Sequence, residues 1–237
     1  MSLNIIFENT KSLDFSSLDI TTLEINSLGN QNVIDLNLIK YPPSLTNLKI
    51  SADSLIPGPI PDGITELSLN AREDYKENFV HAYKLCLPNS ICKLVLKGFH
   101  LTSGDYLLPS NLTELTFMGT MFAHITLPPN LKTLNIYGNA YGGKAFVGKL
   151  PDTLEHLQIR VYKGSFIIYY EDYPQTMKTI HLCGSKFTAP SLFFTEYKPY
   201  TNLESVIFDD LYHHQFPKLS CKVYIDDERL TTWKRNI

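Results

Sequence analysis

Residues 127–141, LPPNLKTLNIYGNAY, decide the fold: Pro128 is followed at fixed distances by Leu131, Leu134 and Ile136, and then by Gly138. The same frame, PxxLxxLxL, recurs on both sides. Upstream, Pro61 leads to Ile64, Leu67 and Leu69, Pro88 to Ile91, Leu94 and Leu96, and Pro109 to Leu112, Leu115 and Phe117. Downstream, Pro151 leads to Leu154, Leu157 and Ile159, and Pro174 to Met177, Ile180 and Leu182. Without a clean proline the frame extends to Ile20, Leu23 and Ile25, to Val33, Leu36 and Leu38, and, after Pro42, to Leu45, Leu48 and Ile50. On the C-terminal side it continues through Leu203, Val206 and Phe208 to Val223 and Ile225. From Leu48 onward the intervals between equivalent residues are 19, 27, 21, 19, 23, 23 and 26, straddling the roughly 20–29 of leucine-rich repeats.

Each position in the frame has a physical reason. The last two apolar residues are two apart, the period of a strand that turns alternate side chains inward, and the first one enters the core at the bend before it. Proline has no N–H to give to a sheet ladder, so it belongs outside the strand, where its fixed φ turns the chain in. The recurrent glycine at Gly98, Gly119, Gly138 and Gly184 predicts a tight turn out of the strand with φ > 0. Three residues further on, Leu55, Leu101, Phe122, Tyr141 and Phe187 form a second apolar column. One coil cannot bury its face alone, so the coils must stack into a common core.

The expected architecture is a leucine-rich-repeat solenoid of the α/β repeat class, with a parallel sheet on the concave face and loops and a few short helices on the convex side. It fills a single domain over residues 1–237: an irregular cap over 1–40, repeats over 41–210 and a C-terminal cap over 211–237. Helices are expected over Arg72–Leu85, where Tyr75, Phe79 and Tyr83 are four apart, over Pro190–Tyr197, and over Asp226–Arg235 with Leu230 and Trp233 inward. Near the N-terminus, Leu13, Leu23, Leu36 and Leu48 stand only 10 to 13 residues apart, closer than a parallel crossover allows. Antiparallel pairing of some of these strands, forming an N-terminal cap, is therefore expected.

The unit resembles the FNIP repeat, a leucine-rich-repeat variant known mainly from social amoebae and giant DNA viruses, whose signature is similar to LPxxLxxLxLGxxFNxPI. Residues 127–141 match its proline, its three apolar positions and its glycine, with Tyr141 in place of Phe. Gly184, Phe187 and Pro190 match GxxFxxP, and Ile56–Ile60, IPGPI, is similar to the ending. The resemblance covers Pro42 to about Pro190, and the Asn after Phe is absent throughout. Many members carry an F-box before the repeats, which implies a substrate-recognition subunit of a ubiquitin ligase. Here the repeats begin by Ile20, and no F-box segment stands before them.

Composition narrows the function classes. The 237 residues are 43% hydrophobic, 12% aromatic and carry a formal charge of −3, so a continuous core is available and the basic footprint of a nucleic-acid binder is missing. No stretch approaches the roughly 18 apolar residues of a spanning helix, and Met1–Lys11 has no leader pattern. Cys86, Cys92, Cys183 and Cys221 form neither CxxC pairs nor a dense disulfide scaffold. The expectation is an intracellular protein, cytoplasmic or a virion component if viral, with no nucleic-acid or membrane partner.

No catalytic, cofactor or metal constellation emerges. Asp209–Asp210 and Asp226–Asp227 are adjacent pairs, which on a strand point to opposite faces and cannot serve one substrate together. His213 and His214 meet the same objection as metal ligands. Gly142 and Gly143 before Lys144 lack the Ser or Thr of a phosphate loop. What remains is the outward strand face, which becomes more aromatic and cationic from Tyr137 to His181. A protein-interaction scaffold is the leading expectation, with Lys93, Lys97, Asn135, Tyr137, His156, Gln158, Arg160 and His181 as candidate partner-binding residues. The alternatives are an assembly component and, by resemblance, the ligase subunit; the sequence assigns neither a partner nor an oligomeric state.

Overall fold

A computed structural model describes residues 1–7, 12–27, 32–71, 80–81, 85–101, 108–121, 126–146, 149–167, 174–184, 202–208, 222–227 and 230–235. The strands are β1 (Ser2–Phe7), β2 (Leu13–Asp14), β3 (Thr22–Ser27), β4 (Val33–Asp35), β5 (Ile39–Lys40), β6 (Asn47–Ala52), β7 (Ser54–Ile56), β8 (Glu66–Ala71), β9 (Val80–His81), β10 (Lys93–Leu101) and β11 (Glu114–Met121). They continue with β12 (Thr133–Phe146), β13 (His156–Ile167), β14 (Thr179–Gly184), β15 (Ser205–Phe208), β16 (Lys222–Asp227) and β17 (Leu230–Arg235). The contacts divide the chain into two compact units, Met1–Thr120 and Met121–Ile237. Each is a parallel β-solenoid, in which every coil contributes one strand to a front sheet.

In the first unit the repeat frame becomes register. Leu23 stands opposite Leu48, Leu48 opposite Leu67 and Leu67 opposite Leu94, so the inward leucines form one column. Leu23, Ile25, Leu48, Ile50, Leu67, Leu69, Leu94 and Leu96 are all at most 2% exposed. In the second unit Leu134, Leu157 and Ile180 face one another in the same way and are equally buried.

The bend before β6, β8 and each of β10 to β14 is a β-turn closed by the proline itself. The N–H of the first apolar residue donates to the proline carbonyl three residues earlier, at 3.3 Å for Leu45 to Pro42, 3.1 Å for Leu112 to Pro109 and 3.0 Å for Leu154 to Pro151. The next carbonyl then accepts two N–H groups from the following coil, as Thr46 and Asn47 give to Thr21 and Glu155 and His156 give to Lys132. A short polar residue precedes the first apolar position in most turns, at Ser44, Ser90, Asn111, Asn130, Thr153, Thr176 and Asn202, while Gly63 stands there before Ile64. Several of these side chains tie one coil to the last. Thr153 Oγ1 donates to the Pro129 and Leu131 carbonyls at 2.7 and 2.9 Å, and Thr176 Oγ1 to those of Asp152 and Leu154 at 2.8 and 2.7 Å. The PxxL motif is thus Px(S/T/N)L in every proline turn but that of Pro61, and a short polar side chain at this position reaches back to the preceding coil.

Four expectations are corrected. Behind the front sheet the described residues form short parallel strands where convex helices were expected: β2 pairs with β5, β4 with β7, and β9 with Phe99–His100 of β10. One turn of 3-10 helix at Leu36–Leu38 is the helical element among the described residues. Of the helix expected over Arg72–Leu85, residues 72–79 and 82–84 lie outside the described residues and Val80–His81 are strand; Pro190–Tyr197 lies outside entirely. The C-terminal helix is replaced by β17, which runs antiparallel to β16 and sets Trp233 opposite Ile225. β-Branched Thr231 and Thr232 favour that choice.

The N-terminal pairing is parallel. β1 lies against β3 with Leu3 opposite Leu23, and β3 against β6. Leu13 and Leu36 belong to the back of their coils and not to further front strands, and Leu38 is 42% exposed, so the Val33–Leu36–Leu38 frame is not a front strand. Finally, β10 and β11 continue past their glycines. Gly98 does have positive φ, +75°, yet its place is within the strand, where a Cβ would lie 2.0 Å from the Ala71 carbonyl oxygen. Close stacking of backbone on backbone, and not an exit turn, requires glycine there.

Candidate functional site

Strand period two sends the residues between the core leucines outward, and the parallel register aligns them in rows. In the second unit, Thr133, His156 and Thr179 share one row, Asn135, Gln158 and His181 the next, and Tyr137, Arg160 and Cys183 the third. Six of the eight candidate residues therefore meet on β12, β13 and β14. Lys93 and Lys97 lie on β10 in the first unit, opposite Glu66 and Asn70.

The rows are joined by side-chain hydrogen bonds. Tyr137 Oη donates to Gln158 Oε1 at 2.7 Å, and Gln158 Nε2 is 3.0 Å from His181 Nδ1. With its carbonyl engaged by the phenol, the Gln158 amide presents an N–H to the ring, so His181 Nδ1 acts as acceptor and the ring proton sits on Nε2. His156 Nδ1 is 2.9 Å from Thr179 Oγ1. These bonds hold the side chains half-buried against one another. Beside them, Lys178 pairs with Glu155, and that ammonium holds the Glu155 carboxyl below its ordinary value.

The first unit presents a different surface, laced by ion pairs. Lys49 Nζ lies 2.6 Å from Glu24, and Lys93 Nζ lies 3.2 Å from Glu114. Glu24 also accepts from Asn26 Nδ2 at 3.2 Å, and the Lys49 contact, with this one, keeps its carboxyl below the usual range. Asn70 Nδ2 donates to Ser51 Oγ at 3.1 Å. A depression of about 230 Å³ opens on this face, between strands β3 and β10. Sequence reasoning did not single it out, since it arises from the relative lengths of side chains on neighbouring strands.

Among the described residues no cluster of three or more His, Cys, Asp or Glu side chains could hold a metal ion. Gly142, Gly143 and Lys144 lie inside β12, not in a loop at a helix start. Asp226 and Asp227 are consecutive in β16, whereas Asp209, Asp210, His213 and His214 lie outside the described residues. No described helix is long and apolar enough to cross a membrane. No protein-family model, curated protein or solved structure matches the chain.

Proposed function

We propose that the protein is a non-catalytic interaction scaffold that binds a protein partner on its outward strand face, built on leucine-rich repeats of the FNIP type. The observation that carries this reading is the set of side chains on β12–β14, where Tyr137, Gln158 and His181 form one hydrogen-bonded chain beside His156 and Arg160. Side chains already held by neighbours lose little rotamer freedom on binding, which removes one of the costs of polar recognition. Tyrosine and arginine are also the side chains that most often anchor interfaces. The reading implies an intracellular setting, or a virus particle if the chain is viral. The ligase-subunit role belongs to it only through the family resemblance.

Affinity capture from the native cell tests it, comparing the parent with a Tyr137→Ala, His156→Ala, Arg160→Ala variant. Loss of a reproducible partner is the expected result; an unchanged partner set refutes the assignment of the face. A second reading, an assembly component, draws on Leu18, Leu38 and Ile56, which are 38, 42 and 44% exposed on the first unit away from the front strands. It requires self-association that Leu38→Ser with Ile56→Ser abolishes in light scattering.

A further inference from the structure

Five charged residues stand on successive front strands of the first unit and alternate in sign: Glu24 on β3, Lys49 on β6, Glu66 on β8, Lys93 on β10 and Glu114 on β11. Three acids and two bases cannot all pair. Lys49 turns to Glu24 and Lys93 to Glu114, which leaves Glu66 in the middle without a cation partner among the described residues. The depression opens at this position, lined by Glu66 with Asn47, Ser68 and Val95, and also by Glu24 and the two ion-paired lysines, Lys49 and Lys93. Its volume of about 230 Å³ is below the roughly 300–1,000 Å³ of small-molecule sites. A single side chain is the occupant that fits.

We propose that this depression receives a basic side chain, arginine foremost, from a protein partner; the inference rests on reading the strand face as the binding surface. Glu66 supplies the charge, and a guanidinium can meet its two oxygens with two parallel N–H donors. Ser68 adds an acceptor to the lining, beside Asn47, whose Oδ1 already accepts from Thr46 Oγ1 at 2.7 Å. Val95 gives an apolar wall to the methylene stem, which long basic side chains lay along such surfaces. An anionic side chain finds the opposite: the nearest ammonium groups are already engaged, and Glu66 repels it.

The test is an amide chemical-shift titration of the full chain with an acetylated hexapeptide of alternating Arg and Gly, and with the same peptide carrying citrulline for Arg. The expected result is shifts confined to the residues that line the depression, absent with citrulline. Glu66→Gln should bind the arginine peptide about five-fold more weakly, the upper range for one exposed ion pair. Asp19→Asn, the same change of charge at an exposed loop position, should bind like the parent. Shifts centred elsewhere, an equal response to citrulline, or unchanged affinity in Glu66→Gln overturn the proposal. If the Tyr137, His156 and Arg160 variant loses its partner while Glu66→Gln titrates like the parent, this inference falls alone. If Glu66→Gln loses the peptide while captured partners ignore both variants, the depression stands and the scaffold reading falls.

Discussion

Replacing Gly98 with alanine sets a methyl carbon 2.0 Å from the Ala71 carbonyl oxygen and 2.8 Å from its carbon, at a φ of +75°. Two separate costs follow. An L-residue in the left-handed region costs about 1–2 kcal/mol. The ordinary approach of carbon to a carbonyl oxygen is about 3.3 Å, so β8 and β10 would have to part by roughly 1.3 Å. β8 is held in parallel ladders on both sides, so the strain of such overpacking adds about 1–3 kcal/mol. The sum is about 2–5 kcal/mol, or roughly 4–20 °C in melting midpoint for a chain of this size. Gly63 provides the internal control: its φ is +99°, yet the nearest atom to an added Cβ is the Leu45 oxygen at 3.9 Å. Gly63→Ala therefore incurs the backbone cost alone, about 1–2 kcal/mol. Thermal and urea unfolding of both variants, with amide exchange read at Asn70 and Lys97, separate the two costs. If Gly98→Ala is no more destabilising than Gly63→Ala, close stacking of β8 on β10 is wrong.

Four further outcomes are expected. Leu134→Ala and Leu157→Ala, at positions no more than 1% exposed, should each cost about 2–5 kcal/mol by urea denaturation, and an unmoved midpoint would remove them from the core. Thr176→Val deletes a hydroxyl shared between the Asp152 and Leu154 carbonyls and should cost about 1–2 kcal/mol, whereas Thr133→Val, outward on β12, should be near neutral by the same denaturation. Lys40 with Ser16 holds Asp14 below the usual carboxylate range, as Lys49 holds Glu24 and Lys178 holds Glu155, while Lys40 and Lys178 are themselves raised. The carboxylate contributions are complete above about pH 5 and disappear as pH falls through the lowered values, and the ammonium contributions disappear only as pH rises beyond about 10. Melting midpoints should plateau between these limits, with a weaker acid-side fall in a Lys40→Met, Lys49→Met, Lys178→Met variant, a difference that 1 M salt should shrink. Nitrogen NMR should find the neutral His181 ring protonated at Nε2, with Nδ1 acting as acceptor; a proton on Nδ1 in the parent, or no change on Gln158→Leu, would contradict the Tyr137–Gln158–His181 chain.

The front sheet was legible because its signal is local and repeated: a proline, a bend and two inward residues recur from Pro42 to Leu182, so each of these repeats checks the others. The polar residue before the bend was equally visible, at Ser44, Thr153 or Asn202, but its meaning is a bond to another coil, which no single repeat displays. Errors cluster where local pattern and stacking disagree. Val33, Leu36 and Leu38 imitate the frame, yet Val33–Asp35 pairs with Ser54–Ile56 at the back, since the coil has already supplied its front strand at Thr22–Ser27. Leu230 and Trp233 are three apart as on a helix, and the pairing of β17 with the edge of β16 outweighs that spacing. Of the candidate site, the outward positions followed from strand period, but which side chains touch depends on register between coils. The joining of Tyr137 to His181 through Gln158 therefore came only with the structure.

Leu48, Leu67 and Leu94 stand in one row although 19 residues separate the first two and 27 the next two. The difference in length falls between Ala71 and Lys93, after one front strand ends and before the next begins. Insertions and deletions there are uncoupled from the geometry in front, so a lineage can vary such a connection freely without displacing a single outward side chain. Gain or loss of an entire coil changes the reach of the surface by one step of about 4.8 Å, leaving all older rows in place. Recognition on such a lattice can evolve by counting rows.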